Sequence, residues 1–166
     1  MRNYVIKGNI CYSRTRKELC IVENGYVVCR DGKSAGVYEL LPESYEAFPC
    51  YNYENKIVIP GLVDLHVHAP QYPFRGLGMD LELIDWLNTH TFVEEAKYAD
   101  LDYAGRAYDI FAEDLRNSAT TRACVFGTIH ADATLLLMEK LENAGITAYV
   151  GKVNMDRNSP KCLCEE

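Results

Sequence analysis

The sequence has little histidine, little tryptophan and no surplus of positive charge. Four histidines and one tryptophan occur in 166 residues, and the net charge is −7. An acidic chain attracts neither phosphate backbones nor anionic lipid, which argues against nucleic-acid and membrane-surface binding. No apolar run approaches the roughly 18 residues that a spanning helix needs. No Gly-x-Gly-x-x-Gly and no Gly-Lys-Ser/Thr loop occurs, so the sequence offers no dinucleotide fingerprint and no P-loop. Cys-x-x-Cys is missing as well, which removes the cytidine-deaminase pattern of His-x-Glu followed by Pro-Cys-x-x-Cys. The start, Met1 to Gly8, lacks the apolar stretch of a secretory signal. A cytoplasmic location is therefore expected, with the seven cysteines as free thiols. Cys162 and Cys164 alone offer a soft metal too few ligands. The length is short of a complete (β/α)8 barrel, which typically needs about 250 residues.

What is present is ordinary globular composition, 48% hydrophobic and 25% charged. Two regions differ in character. Residues 1–59 carry 8 Lys+Arg and 7 Asp+Glu, whereas residues 60–166 carry 9 and 17. The first region is rich in tyrosine and β-branched residues. Asn24-Gly25 between Glu18–Glu23 and Tyr26–Arg30 predicts a hairpin turn, because both residues tolerate positive φ. Asp31-Gly32 marks another turn, and Ser34–Asn55, with Pro42 and Pro49, reads as irregular. The expectation is a small antiparallel sheet with a loop.

From residue 57 strand and helix patterns alternate. Asp80 can cap a helix running through Leu83, Trp86 and Leu87. Ala104, Ala107, Tyr108, Phe111 and Leu115 form one helical stripe. Thr120–Phe126 reads as a strand. A helix follows from near Asp132, with Leu137 and Leu141 on one face and Gly145 as its stop. Ile146–Val153 reads as a further strand. This alternation implies parallel βα units.

The chemistry is concentrated in Ile59-Pro60-Gly61-Leu62-Val63-Asp64-Leu65-His66-Val67-His68. In a strand the side-chain period is two, so Asp64, His66 and His68 share a face. The two histidine Cα atoms lie about 6–7 Å apart, close enough for both rings to reach one metal. Neutral imidazole suits Zn²⁺ or Fe²⁺. A lone His-x-His is a weak signal, and two partly exposed strand histidines are its bland reading. Asp64 reads better as a group that orients a ligand or the strand end than as a base. Packing is the better reading for His90 and Trp86, although Trp86 could line a pocket wall. His130 follows the second strand and reads as structural, with substrate or metal contact as the alternative.

The full block, apolar strand, Pro-Gly and Asp-x-His-x-His, resembles the first-strand signature of the amidohydrolase superfamily. Downstream, His68-Ala69-Pro70-Gln71-Tyr72 and the segment Met79–Leu87 follow in order. Thr91-Phe92-Val93-Glu94-Glu95, Gly127-Thr128-Ile129-His130 and Gly151–Ser159 continue the series. Collinear from residue 57 onward, these blocks resemble the guanine deaminase family of that superfamily.

The resemblance implies an α/β fold: residues 60–166 as the first part of a (β/α)8 metal-dependent hydrolase barrel, preceded by a small β-sandwich segment over residues 1–59. It implies that His66 and His68 bind zinc and that Gln71 contacts the purine, an amide offering both donor and acceptor. It implies hydrolytic deamination of guanine to xanthine and ammonia in purine catabolism, with the metal activating water. Guanine is the expected partner, with no nucleic acid and no membrane, and homo-oligomers remain open.

The family's glutamate, further histidines and aspartate lie on later barrel strands. General acid/base residues are thus expected beyond residue 166, and the chain is expected to be an incomplete part of the enzyme. The alternative is a catalytically inactive truncated fragment acting at most as a binding or interaction module. Two departures fall in turns: Ser118-Ala119-Thr120-Thr121 where the family has Gly before the Thr pair, and Val93 where Pro is usual.

Overall fold

The computed structural model describes residues 2–165. The chain divides into two compact units, residues 1–60 and 61–166. The first unit is built from β1 (Tyr4–Thr15), β2 (Glu18–Arg30), β3 (Lys33–Tyr38) and β4 (Cys50–Val58). They form one sheet in the order β3-β2-β1-β4.

Three expectations for this unit need correcting. The stretch 34–55 is not irregular throughout, because it supplies β3 and most of β4. The sheet is mixed rather than antiparallel, since β1 and β4 run parallel. Asn24-Gly25 is not a turn but lies inside β2. Its positive φ of 50° at Asn24 serves a bulge instead. Gly8 pairs with Gly25 and Ile10 with Val22, so Asn9 alone faces Glu23 and Asn24. The Asn24 N–H donates to Asn9 Oδ1 at 3.1 Å, which satisfies the donor freed by the bulge. The chain reverses at Arg16-Lys17 instead. Asp31 and Gly32, at φ 53° and 76°, form the tight turn between β2 and β3.

The second unit holds β5 (Leu62–His68), α1 (Leu83–Trp86), α2 (Phe92–Glu95), α3 (Leu101–Arg116), β6 (Thr120–Phe126), α4 (Ala131–Asn143) and β7 (Thr147–Gly151). The three strands form a parallel sheet in the order β5-β6-β7. The stripe Ala104, Ala107, Tyr108 and Phe111 of α3 is buried as its spacing requires, and Leu137 and Leu141 of α4 join the same core. Each such Phe or Leu side chain contributes about 1.5–3 kcal/mol by leaving water.

The helix ends follow local chemistry. The Asp100 side chain accepts the N–H groups of Asp102 and Tyr103 at the start of α3. Helix α4 ends in a Schellman arrangement. Ile146 donates to the Leu141 carbonyl at 3.0 Å and Gly145 to the Glu142 carbonyl at 2.9 Å, with Gly145 at φ 78°.

The segment after β5 departs from its expected form. Asp80 does not cap α1, whose N-cap position is Glu82, without a side-chain cap. Nor is it one plain α-helix. α1 passes into a π-helical stretch, Leu87–Thr91, then into α2 and a 3-10 turn at Ala96–Ala99. The wider π turn re-phases the helix. Leu83 and Ile84 stay exposed before it, whereas Thr91 at its end and Glu94 and Glu95 beyond it are buried.

Candidate metal centre

The site is built at the C-terminal end of β5 and on the turn that follows. Pairing with β6 is interrupted twice. Leu62 faces Thr120 and Val63 faces Arg122, so Thr121 is the extra residue of the first irregularity. Gly61 is required beside it, because a Cβ there would lie 2.2 Å from Thr121 Oγ1. Further along, Asp64 faces Ala123 and Val67 faces Val125, so Leu65 and His66 share one partner position. This bulge re-aims the strand at His66. Asp64 turns to the backbone, accepting the His66 N–H at 3.0 Å. It orients the strand end.

The two imidazoles converge, with His66 Nε2 and His68 Nε2 3.2 Å apart. Two nitrogens bound to one tetrahedral zinc at about 2.0–2.1 Å stand about 3.3 Å from each other. The pair therefore fits two positions of such an ion. Burial, and secondarily the neighbouring His66 ring, push His68 below the ordinary imidazole value. That favours the neutral form a metal requires. No third His, Cys, Asp or Glu joins them in a metal-holding group among the described residues.

Phe126 braces the pair. Its ring stacks on His68 at 4.7 Å with 12° between planes and meets His66 edge-on at 4.8 Å. Phe126 is the direct strand partner of His68. Sequence reasoning passed over it, although the signal was available: it ends the strand adjacent to the one that carries the histidines.

Directly after His68 the chain enters a 3-10 turn, Ala69–Phe74, helped by Pro70, whose fixed φ suits a first helical position. Buried Ala69 and Pro70 anchor this turn. Gln71 is thereby brought back over His68, its amide nitrogen 3.3 Å from His68 Nδ1. His66, His68 and Gln71 line a cleft of about 300 Å³ together with Phe74, Met79 and Trp86. Trp86 is held by donation from its indole N–H to the Leu77 carbonyl at 3.2 Å. Its pocket role, the lesser reading from sequence, is the one the geometry provides.

The other two histidines stand apart from the pair's ligand geometry. His90 Nδ1 lies 2.8 Å from Thr89 Oγ1 and its ring is 6.0 Å from Phe74. His130 occupies the N-cap position of α4, and its backbone N–H donates to Thr128 Oγ1 at 3.0 Å. Burial pushes its imidazole below the ordinary value.

Helix α2 carries two buried carboxyls, Glu94 and Glu95, which no spacing in the sequence singles out chemically. Glu94 accepts from the Tyr103 hydroxyl and from Lys97 Nζ, the latter at 2.6 Å. Glu95 is 6% exposed. Burial raises it to about 7, and the nearby Gln71 amide holds the rise back.

The amidohydrolase family model matches residues 57–166. This chain belongs to the amidohydrolase family. It is 40% identical to guanine deaminase of Rattus norvegicus over 144 residues, covering 85% of this chain and 31% of that protein. Against guanine deaminase of Escherichia coli the identity is 35% over 153 residues, covering 89% and 34%. The crystal structure of guanine deaminase from C. acetobutylicum with guanine bound in its active site superposes with a TM-score of 0.93 at 45% identity. That match covers 98% of this chain and 39% of the other. A triazine hydrolase at 15% identity and a TM-score of 0.81 shares the fold. This amidohydrolase chain thus spans about a third of the length of the curated relatives it matches.

Proposed function

We propose that this chain carries the metal-anchoring and purine-contacting part of a guanine deaminase, which converts guanine and water to xanthine and ammonia. The observation that carries this reading is the convergence of His66 Nε2 and His68 Nε2 to 3.2 Å at the mouth of the cleft that Gln71 shares. In this reading His66 and His68 hold zinc, which lowers the pKa of bound water toward neutrality. Gln71 orients the purine edge through its amide donor and acceptor. Phe126 fixes the imidazole planes, and Phe74 and Trp86 supply an apolar wall that excludes bulk water from the reacting face. Strands β5, β6 and β7 are the opening strands of a (β/α)8 barrel in this reading, and the four-stranded sheet belongs to a β-sandwich. Their parallel order and the guanine-bound relative support it.

Two measurements test the proposal. Purified chain is expected to bind zinc, and the double substitution His66→Ala/His68→Ala to abolish that binding; unchanged zinc content in the double variant contradicts the site. Function is read in a chimera in which residues 1–166 replace the matching 39% of the C. acetobutylicum protein. Guanine-dependent ammonia release is expected from it. A folded, zinc-loaded chimera that leaves guanine untouched defeats the reading.

The inactive or binding-only reading is favoured, for the 166-residue polypeptide alone, by one observation. Only two ligands converge among the described residues, whereas catalytic zinc usually has three protein ligands plus water. That polypeptide is accordingly expected to release no ammonia from guanine by itself.

A further inference from the structure

We infer that Asp114, on α3, is a positioning residue for the candidate centre, acting through Tyr72 and Arg75 on the turn that carries Gln71. This rests on the proposed purine contact of Gln71 and adds to it a residue outside the cleft.

The turn Ala69–Phe74 is poorly equipped to hold its own shape. A 3-10 turn has weak hydrogen-bond geometry and seldom runs far. Pro70 and Pro73 within it have no backbone N–H to donate. Its exit is tied by two backbone bonds, from the Arg75 N–H to the Tyr72 carbonyl at 3.2 Å and from the Leu77 N–H to the Phe74 carbonyl at 3.0 Å. A side chain that must meet a ligand from such a turn, as Gln71 must, needs an anchor on another element.

Asp114 is that anchor. Side chains three residues apart eclipse in a 3-10 turn, so Tyr72 and Arg75 form one row and Gln71 and Phe74 the next. The first row meets α3. The Tyr72 hydroxyl donates to Asp114 Oδ2 at 2.5 Å, and Arg75 Nη2 stands 3.6 Å from the same oxygen. Arg75 also folds back on Tyr72. Its guanidinium lies 3.9 Å from the ring centroid, and its Nη1 donates to the Tyr72 carbonyl at 3.1 Å. The Tyr72 ring meets buried Phe111 edge-on at 5.2 Å. Phe111 and Asp114 are three apart on α3, so one helix face grips both the ring and the hydroxyl of Tyr72. The second row, Gln71 and Phe74, lines the cleft, and Asp114 is not among the lining residues.

The grip is local. The Arg75–Asp114 pair is exposed, and exposed ion pairs contribute little to global stability. Helix α3 is fixed independently by its buried stripe of Ala104, Ala107, Tyr108 and Phe111. Loss of Asp114 therefore loosens the turn and leaves the unit folded.

Backbone amide exchange in the full 166-residue chain, read by NMR, tests this. In Asp114→Ala the N–H groups of Arg75 and Leu77 are expected to exchange about tenfold faster, the effect of losing a hydrogen bond to a charged group. The amides of β6 and α4 keep their wild-type rates. Tyr72→Phe, which retains the ring on Phe111, shows the same local acceleration, and the double variant is no worse than Asp114→Ala. Asp114→Asn, which keeps an acceptor oxygen for the hydroxyl, restores most of the protection. Wild-type exchange at Arg75 and Leu77 in either single variant, or equal acceleration throughout the chain, overturns the inference.

The chimera with the C. acetobutylicum protein supplies a functional readout. There Asp114→Ala is expected to raise KM for guanine about threefold, because only the closed turn presents Gln71 correctly, with kcat and zinc content little changed. A fall in kcat at unchanged KM, or loss of zinc, overturns the inference. Local acceleration of exchange in a chain whose unsubstituted chimera leaves guanine untouched defeats the guanine reading and leaves the grip of Asp114 on the turn standing.

Discussion

Glu95 is a carboxyl whose protonation and stability are tied together. Its folded value of about 7 lies above the ordinary 4.5, so the folded state favours the proton. The stabilisation linked to that proton is complete below about pH 4.5 and is lost as pH rises toward 7. Gln71 opposes the shift, and Tyr98, Tyr108 and His130 are titratable groups near it. Urea unfolding between pH 4.5 and 7.5 should therefore show wild-type stability falling relative to Glu95→Gln by up to about 3 kcal/mol. Parallel curves for the two proteins would contradict the burial of this acid. At this scale the sequence disclosed the residues whose spacing alone is informative. The His66-x-His68 spacing is visible in the sequence without any knowledge of the fold. Glu95 and Phe126 could not be read that way, because the burial of the one and the ring contacts of the other arise from residues distant in sequence.

Elements were legible where periodicity and caps agree, as in α3, β6 and the end of α4 at Gly145. They were misread where one local signal has two physical uses. Asn24-Gly25 supplies positive φ, which serves a turn or a bulge equally well, and only pairing with β1 decides between them. The bulge makes a specific demand on the side chain. Asn24→Val should destabilise the protein by about 1–2 kcal/mol, since a β-branched residue at φ 50° is strained, whereas Asn24→Gly should be near neutral. Denaturant midpoints of the two variants check this, and equal midpoints would refute it. The irregular helix after β5 was out of reach for a different reason. A π turn has no sequence signature of its own and arises from how its neighbours pack.

For the whole molecule, the three-stranded sheet raises the question of what covers it. Parallel sheets are normally buried on both faces. Here Leu62, Val63, Leu65, Phe126 and Tyr149 are exposed, Tyr149 at 80%. The isolated 166-residue polypeptide should therefore bind a hydrophobic dye such as ANS and associate with rising concentration in sedimentation velocity. A dye-silent monomer at high concentration would speak against the exposed face. No helix among the described residues is long and apolar enough to cross a membrane, so these exposed side chains belong to no spanning helix.

The π turn at Leu87–Thr91 also bears on how much this region can vary in length. Each residue added to or removed from a helix turns everything after it by about 100°. Exposed positions between Trp86 and Thr91 can change identity at little cost. Their number is another matter, because one residue fewer would rotate Glu95 out of its buried position while leaving every motif in the sequence intact. Tolerance to substitution and intolerance to insertion or deletion therefore coincide in the same short stretch.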